Sequence, residues 1–287
     1  MHQLMHLCGS FLIFSVLNRF KMRKLFAFIL LLAAATACSD KASKVLVLYY
    51  SQTGATKTVA EEIGRQLGAD VVAFDVTAPY DGDFNATIVR CKDEMATGNL
   101  PVLAPLKVDF DKYDVIFLGY PIWFGTYAPP VSALLNEKDF TGKTIVPFCT
   151  FGSGGLESST SALATAIPDA VVKDGYGVRA ARLAAVPEEV ERFLVEKGWK
   201  EGVVEALPGY STPVPVSEED VKVFDAACSD YTFPLGTPVA VGKRSASYGI
   251  DYVFEVESTA PEGNVSKSRI YVTVRGDAAP EFTKVVR

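Results

Sequence analysis

The chain has 287 residues, 49% of them hydrophobic and 22% charged, with a formal net charge of −6. That is ordinary globular composition, enough for one large domain or two smaller ones, and its acidic balance argues against nucleic acid as a partner. Both histidines, His2 and His6, lie in the N-terminal leader. A mature chain without them excludes Ser-His-Asp and Cys-His catalysis and His-ligated zinc or haem.

The leader, residues 1–37, carries Arg19, Lys21, Arg23 and Lys24 and no acidic residue. Met22-Arg-Lys is followed by an apolar run at 25–32, then by Ala33-Ala-Ala-Thr-Ala37 and Cys38. A basic start, a short apolar run and a small-residue site read as an export signal, too short to span a bilayer comfortably. The signal is complete from Met22, so the residues before it are read as an over-long start. Cys38 directly after Ala35-Thr36-Ala37 resembles the lipobox of bacterial lipoproteins, with Ala35 where Leu is usual. That resemblance implies lipidation at Cys38, a membrane anchor, and a place in the bacterial cell envelope on the periplasmic or outer-membrane face. Residues 38–43 are then a tether. The open alternative is a plain cleaved signal. Cys91, Cys149 and Cys228 are too few and too scattered for a disulfide framework and read as buried small hydrophobes.

From residue 44 to about 199, strand and helix patterns alternate. Apolar runs at 45–50, 71–76, 115–119, 144–150 and, faintly, 170–172 suit a parallel sheet buried on both faces. Val59, Ile63 and Leu67 share one helical face; Phe84, Ile88, Cys91 and Met95 share another. Shorter helices are expected at 131–135 and 156–166, and a closing one at 187–197 presents Val190, Phe193 and Leu194. This order implies right-handed crossovers and a doubly wound α/β fold. Pro147 fits poorly inside the fourth strand.

Residues 202–216, rich in Gly and Pro, read as a linker. A helix should open at Ser217, with Asp220 three residues on forming a capping box, and with Val221, Phe224 and Cys228 on its apolar face. The period then switches to two: Ile250, Tyr252, Phe254 and Val256 alternate, as do Ile270, Val272 and Val274. Residues 217–287 therefore form a small α+β domain, one helix and three or four antiparallel strands.

In an open α/β sheet, ligands bind beyond the carboxyl ends of the strands. Three loops emerge there. The first is Ser51-Gln52-Thr53-Gly54-Ala55-Thr56, between a buried strand and a helix. Free N–H groups of the first helical turn, hydroxyl donors and one Gly suit a phosphate. The glycine spacing of mononucleotide P-loops and dinucleotide folds is missing. A simple cap by Thr53 or Thr56 remains open. The second loop, after the third strand, holds Pro121, Ile122, Trp123, Phe124 and Gly125, aromatics on which a planar ring can stack. For Trp123 alone, core packing is the better reading, and it is the convergence of three loops on one edge that favours a ring site. The third, Thr150-Phe151-Gly152-Ser153-Gly154, offers backbone groups to a ring edge. Together they describe a site for flavin mononucleotide (FMN).

With the Ser-x-Thr-Gly-x-Thr loop at 51–56, Gly119-Tyr-Pro-Ile-Trp123, Gly142-Lys-Thr-Ile-Val-Pro-Phe-Cys-Thr150 with its Gly-Ser-Gly-Gly tail, and residues 90–101, the chain resembles short flavodoxin-like proteins over about residues 44–199, which sets a domain at 44–201. The resemblance implies a five-stranded parallel sheet in order 2-1-3-4-5 and non-covalent FMN. It places the phosphate at 51–56 and the isoalloxazine between 121–124 and 151–154. Pro147 also belongs to that pattern. Gly249-x-x-Tyr252-x-Phe254 after a helix resembles the cystatin fold, but the inhibitory Gln and Val are missing; a generic helix-plus-sheet domain is the alternative.

The expected function is that of an envelope-anchored FMN electron-transfer protein, or an oxidoreductase of small acceptors such as quinones. It would need a redox partner, with no acid–base catalyst and no metal of its own. The alternative is a non-catalytic flavodoxin-fold binding module whose C-terminal domain docks a partner.

Overall fold

The computed structural model describes residues 44–80, 83–259 and 263–287. The leader, the tether and the expected lipid site Cys38 lie outside them. Residues 44–287 pack as one compact unit.

The first part runs β1 (Val45–Tyr49), α1 (Ala55–Leu67), β2 (Asp70–Ala73), α2 (Phe84–Thr97), β3 (Val115–Trp123), β4 (Thr126–Tyr127), α3 (Pro129–Glu137), β5 (Thr144–Phe151), α4 (Leu156–Ala166), β6 (Val171–Val172), β7 (Tyr176–Arg179) and α5 (Val186–Glu196). The sheet order is β2-β1-β3-β5-β6, with β7 also on β5. These pairings are parallel, and only the β3–β4 hairpin is antiparallel. With β6 and β7 as two pieces of a fifth strand, this is the expected 2-1-3-4-5 order. Alternate residues serve opposite faces. Leu46, Leu48, Ile116 and Leu118 join Val131, Leu134 and Leu163 on one side. Val47, Phe117 and Phe148 join Val59, Ile63, Val190 and Leu194 on the other. Burial on both faces is why these strands read as continuous apolar runs.

The interrupted fifth strand accounts for Pro147. The carbonyls of Lys143 and Ile145 accept from Val171 and Lys173, each at 2.9 Å, so by alternation Pro147 faces the same neighbour. The ladder breaks there, with Ile145 opposite Val172 and Phe148 opposite Tyr176. A Cβ on Gly175 would stand 2.5 Å from the Pro147 carbonyl oxygen, so only glycine passes this break. The sequence pattern stopped at 172 because Asp174-Gly175 reads as a turn.

Two expectations need correction. β2 ends at Ala73; Val76 makes only an isolated antiparallel bridge to Leu103. On α2 the stripe of Phe84, Ile88, Cys91 and Met95 is not the core face: Phe84 and Met95 are exposed, and the buried residues are Thr87, Cys91 and Glu94. Two of these are polar and held by partners described below, which is why apolar periodicity missed the face.

The C-terminal part contains β8 (Val214–Pro215), α6 (Glu218–Cys228), β9 (Thr237–Ala246), β10 (Gly249–Thr259), β11 (Val265–Arg275) and β12 (Glu281–Val286). The sheet is antiparallel in order β12-β11-β10-β9-β8. The capping box at Ser217 and Asp220 is present. Phe224 of α6 packs on Phe254, Ile270, Val272 and Phe282. Val223 and Ala227 flank Phe224 in that core in place of Val221, and Ile250 faces outward. Residues 202–216 run along this sheet: the Ser211 N–H donates to the Lys243 carbonyl (2.8 Å), and the Ser247 N–H and hydroxyl donate to the Glu205 carboxylate.

The sheet docks on the flavodoxin-like part through β12. The Val285 N–H donates to the Ser153 carbonyl at 2.7 Å. Arg179 donates to the carbonyls of Gly152 (2.7 Å) and Phe282 (3.0 Å). Buried Arg182 joins Glu189 (2.7 Å) to Glu281 (3.1 Å).

Candidate functional site

The first loop forms as the sequence implies. Gly54 is the N-cap of α1, in the left-handed region at φ 92°, and brings no side-chain cap. The Ser51 hydroxyl accepts instead from the N–H groups of Gly54 (3.1 Å) and Lys57 (3.3 Å). The N–H groups of Ala55 and Thr56 find no acceptor among the described residues. Free N–H groups at the positive end of a 13-residue helix are an anion seat. The hydroxyl of Thr56 is buried and shares a 2.8 Å hydrogen bond with Thr150. It ties the first loop to the third, while the exposed Thr53 side chain is free of such a tie. Gln52 donates to Thr87 on α2 at 2.9 Å.

The second loop is a hairpin rather than an open loop. β3 runs on through Trp123, and Tyr120 and Pro121 still pair with Cys149 and Thr150 of β5. Trp123 pairs with Thr126 around a two-residue turn, Phe124-Gly125, with both residues at positive φ (51° and 80°). Two such residues are what a tight hairpin requires. Phe124 is the one non-glycine residue at positive φ among the described residues. Trp123 is half-buried, edge-on to Tyr80 (4.9 Å between centroids) and Tyr50 (6.2 Å). Tyr80 donates to Glu94, Glu94 pairs with Arg90 at 2.7 Å, and the Arg90 guanidinium lies 3.9 Å over the Tyr80 ring. This closed network fixes the aromatic wall from behind. Burial pushes the hydroxyls of Tyr50 and Tyr80 above the ordinary phenol range.

The loops enclose a cavity of about 490 Å³. Gln52, Thr53, Ala55 and Thr56 line one end; Pro121, Ile122, Trp123 and Phe124 form a wall; Thr150, Phe151 and Gly152 form the third side. Five of the residues expected at the site do not line it. Ser51 and Gly54 shape the helix start, and Gly125 completes the hairpin turn. Ser153 and Gly154 face β12: a Cβ on Gly154 would meet the Val285 carbonyl oxygen at 2.4 Å. Gly125, Ser153 and Gly154 border an adjoining cavity of about 530 Å³.

The structure adds Phe84, Thr87, Ile88 and Cys91 of α2, with Ala180 and Phe233, to the first cavity. The Arg90/Glu94 spacing signals a helical ion pair, but nothing in the sequence signals its aromatic client. Phe233 had no signal at all, because it comes from the C-terminal part. Burial pushes the Cys91 thiol up to about 11, with Glu94 adding to it, and raises Cys149 as well. Both shifts disfavour the reactive thiolate form.

The flavodoxin family model matches residues 44–191, and the chain belongs to that family. Several solved structures are similar. A candidate flavoprotein from Bacteroides eggerthii DSM 20697 is 30% identical, with 53% of this chain and 96% of that one covered, at a TM-score of 0.48. One from Bacteroides uniformis ATCC 8492 is 26% identical over 53% of this chain and 99% of that one, at 0.48. A flavoprotein in complex with FMN from Lactobacillus acidophilus NCFM is 26% identical over 51% and 98%, at 0.44. No curated protein matches the chain.

Proposed function

We propose that this chain binds FMN in the first cavity and acts as an electron-transfer protein or oxidoreductase. We further propose that it is exported and held in the bacterial envelope by a lipid on Cys38, where it meets its redox partner. One observation carries the cofactor reading: a single cavity of about 490 Å³ joins free helix N–H groups at Ala55 and Thr56 to the Trp123–Phe124 wall. Its size suits one cofactor-sized ligand, and its donor set suits a phosphate at one end and a flat ring at the other. Membership of the flavodoxin family supports the same choice. The leader ending in Ala35-Thr36-Ala37-Cys38 supports the export reading.

Bound flavin supplies one- or two-electron chemistry that no side chain here offers. The chain's own residues seat and shield it. Ser51 and Gly54 shape the helix start, and the N–H groups of Ala55 and Thr56, with the Thr53 side chain, would hold the phosphate. Trp123, locked by Tyr80, Arg90 and Glu94, would shield one face of the ring from water. Thr56 and Thr150 hold the first and third loops at a fixed separation. The net negative charge of the chain disfavours an anionic reduced state and lowers the potential.

The test is an FMN titration of the purified chain, followed by flavin fluorescence and then anaerobic reduction. Quenching with reversible reduction supports the reading, and Thr53→Ala should weaken FMN without changing the fold. Absence of quenching at high protein concentration would overturn it.

A further inference from the structure

We propose that the cleft between the C-terminal sheet and the flavodoxin-like part is a second ligand site, for a small organic carboxylate with an apolar body. Arg244, Tyr210 and Tyr271 hold its charged end. The site is separate from the cofactor cavity and does not rest on the FMN reading.

A third cavity, of about 400 Å³, opens between these parts and is large enough for a small molecule. Phe151 and Leu156 line it from the flavodoxin-like part, Leu207 and Tyr210 from residues 202–216, and Tyr271 from β11. These give a guest an apolar wall. The charges around it are uneven. Among the described residues five cations line it (Arg182, Arg192, Arg244, Arg275 and Lys284) against four carboxylates (Glu157, Glu188, Glu189 and Asp251). None of the five cationic side chains is more than 34% exposed, whereas Glu157 and Glu188 are more than half exposed. The sheltered part of the cavity is therefore positive, on a chain whose net charge is −6. Such a pocket concentrates anions. One positive charge in excess matches a carboxylate better than a phosphate dianion.

The hydrogen bonds point the same way, because every carboxylate is already engaged. Asp251 accepts from Arg244 (2.8 Å), Tyr248 (2.7 Å) and Thr273 (2.7 Å). Glu189 accepts from Arg182 (2.7 Å) and Tyr176 (3.0 Å), Glu188 from Arg275 (3.1 Å), and Glu157 from Lys284 (3.0 Å). Donors are left over. Arg244 uses its Nε alone, and its two Nη groups find no acceptor among the described residues. The hydroxyls of Tyr210 and Tyr271, whose rings meet edge to face at 6.0 Å, find none either. Burial pushes the Tyr210 hydroxyl above the ordinary phenol range, so it stays a donor. Spare donors without spare acceptors call for an acceptor-rich guest, and a guanidinium fork matches a carboxylate. Docking of the two parts does not account for this arrangement. Arg244 and Asp251 face each other within the C-terminal sheet, on β9 and β10, and join nothing outside it. Buried Asp251 fixes the Arg244 guanidinium, which lies 4.5 Å over the Tyr210 ring. A strand face that only had to pack would be apolar, as the opposite face of β10 is at Phe254 and Val256.

The experiment is a calorimetric titration of the full chain with benzoate, at neutral pH and low salt, with and without FMN. Millimolar or tighter binding is expected, the same in both conditions. Benzamide, of the same shape without the charge, should bind at least about tenfold more weakly. Tyr210→Phe removes one hydroxyl and keeps the ring; Arg244→Lys keeps the charge and removes the fork. Each should weaken benzoate by about tenfold and leave FMN affinity unchanged. Tyr210→Phe leaves the Arg244–Asp251 pair intact, so it decides the matter even where Arg244→Lys fails to fold. Absence of saturation in the millimolar range overturns the proposal, as does unchanged benzoate affinity in Tyr210→Phe. Equal binding of benzamide or of inorganic phosphate overturns the choice of a carboxylate. Competition between benzoate and FMN overturns the location, by placing benzoate in the cofactor cavity. If the chain binds benzoate in a Tyr210-dependent way but no FMN, the cofactor reading fails and this site stands.

Discussion

Gly154→Ala separates two explanations of the glycine loop. From the sequence, Gly154 belongs to the cofactor. In the structure it makes room for β12: a Cβ there would lie 2.4 Å from the Val285 carbonyl oxygen, about 1 Å inside ordinary contact distance. β12 cannot withdraw freely, because Arg179 holds the Phe282 carbonyl at 3.0 Å. Overpacking of this kind costs about 1–3 kcal/mol, and losing the Val285–Ser153 hydrogen bond adds about 1. With a urea slope of about 2 kcal/mol/M, the unfolding midpoint should fall by about 1–2 M. The assay is urea unfolding followed by circular dichroism on apo protein, with FMN affinity measured separately. Gly152→Ala is the internal control: nothing lies within 4 Å of its Cβ position. That variant should stay within about 0.5 kcal/mol of the parent. If Gly154→Ala leaves the midpoint unchanged and abolishes FMN binding, the assignment of Gly154 to docking is refuted.

Thr56→Ala strands the buried Thr150 hydroxyl and should cost about 1–3 kcal/mol, whereas replacing both threonines by Val should cost much less; thermal melts of the two variants decide. Phe124→Gly relieves a left-handed residue and should raise the apo melting temperature by about 2–4 °C while weakening FMN retention, read by calorimetry and titration. Burial alone would push the Asp220 carboxyl up, but hydrogen bonds from Lys243 and Ser217 outweigh it and hold the carboxyl below its usual range. A carboxyl depressed in the folded state gives stability that is present above its ordinary value near 3.8 and lost as pH falls through the folded value. Asp220→Asn should therefore lose about 1–2 kcal/mol at pH 7 and unfold less steeply below pH 4, as followed by acid titration.

The sheet order, the helix faces at Val59/Ile63 and Val190/Leu194 and the capping box at Ser217 were legible because each is a local rule: period, cap or turn. The helix start at 51–56 was legible for the same reason. What failed was non-local. The inward face of α2 is polar, and its partners Gln52 and Tyr80 come from other segments. The hairpin at 121–127 hides because Pro121 and the aromatics read as loop, while its pairing is set by β5. The packing of Gly154 against β12 was hidden because the strand that needs its small size lies about 130 residues later. The Phe233 contribution has no local signature whatever.

Ion pairs help set where the C-terminal sheet sits. Arg182 is almost fully buried, and an arginine there without partners would be strongly destabilising. It is satisfied only when Glu189 of α5 and Glu281 of β12 both reach it, and Tyr176 orients Glu189 with a 3.0 Å hydrogen bond. Arg275–Glu188 (3.1 Å) and Lys284–Glu157 (3.0 Å) repeat the arrangement nearby. Apolar contact alone does not fix register; a planar guanidinium forked between two carboxylates does. Register matters because a one-residue slip in a strand turns every group to the other side. In β12 such a slip would take the Val285 N–H away from Ser153 and release the loop that borders both cavities. The ion pairs far from the phosphate loop therefore act on the site through β12, and the C-terminal sheet belongs to its framework.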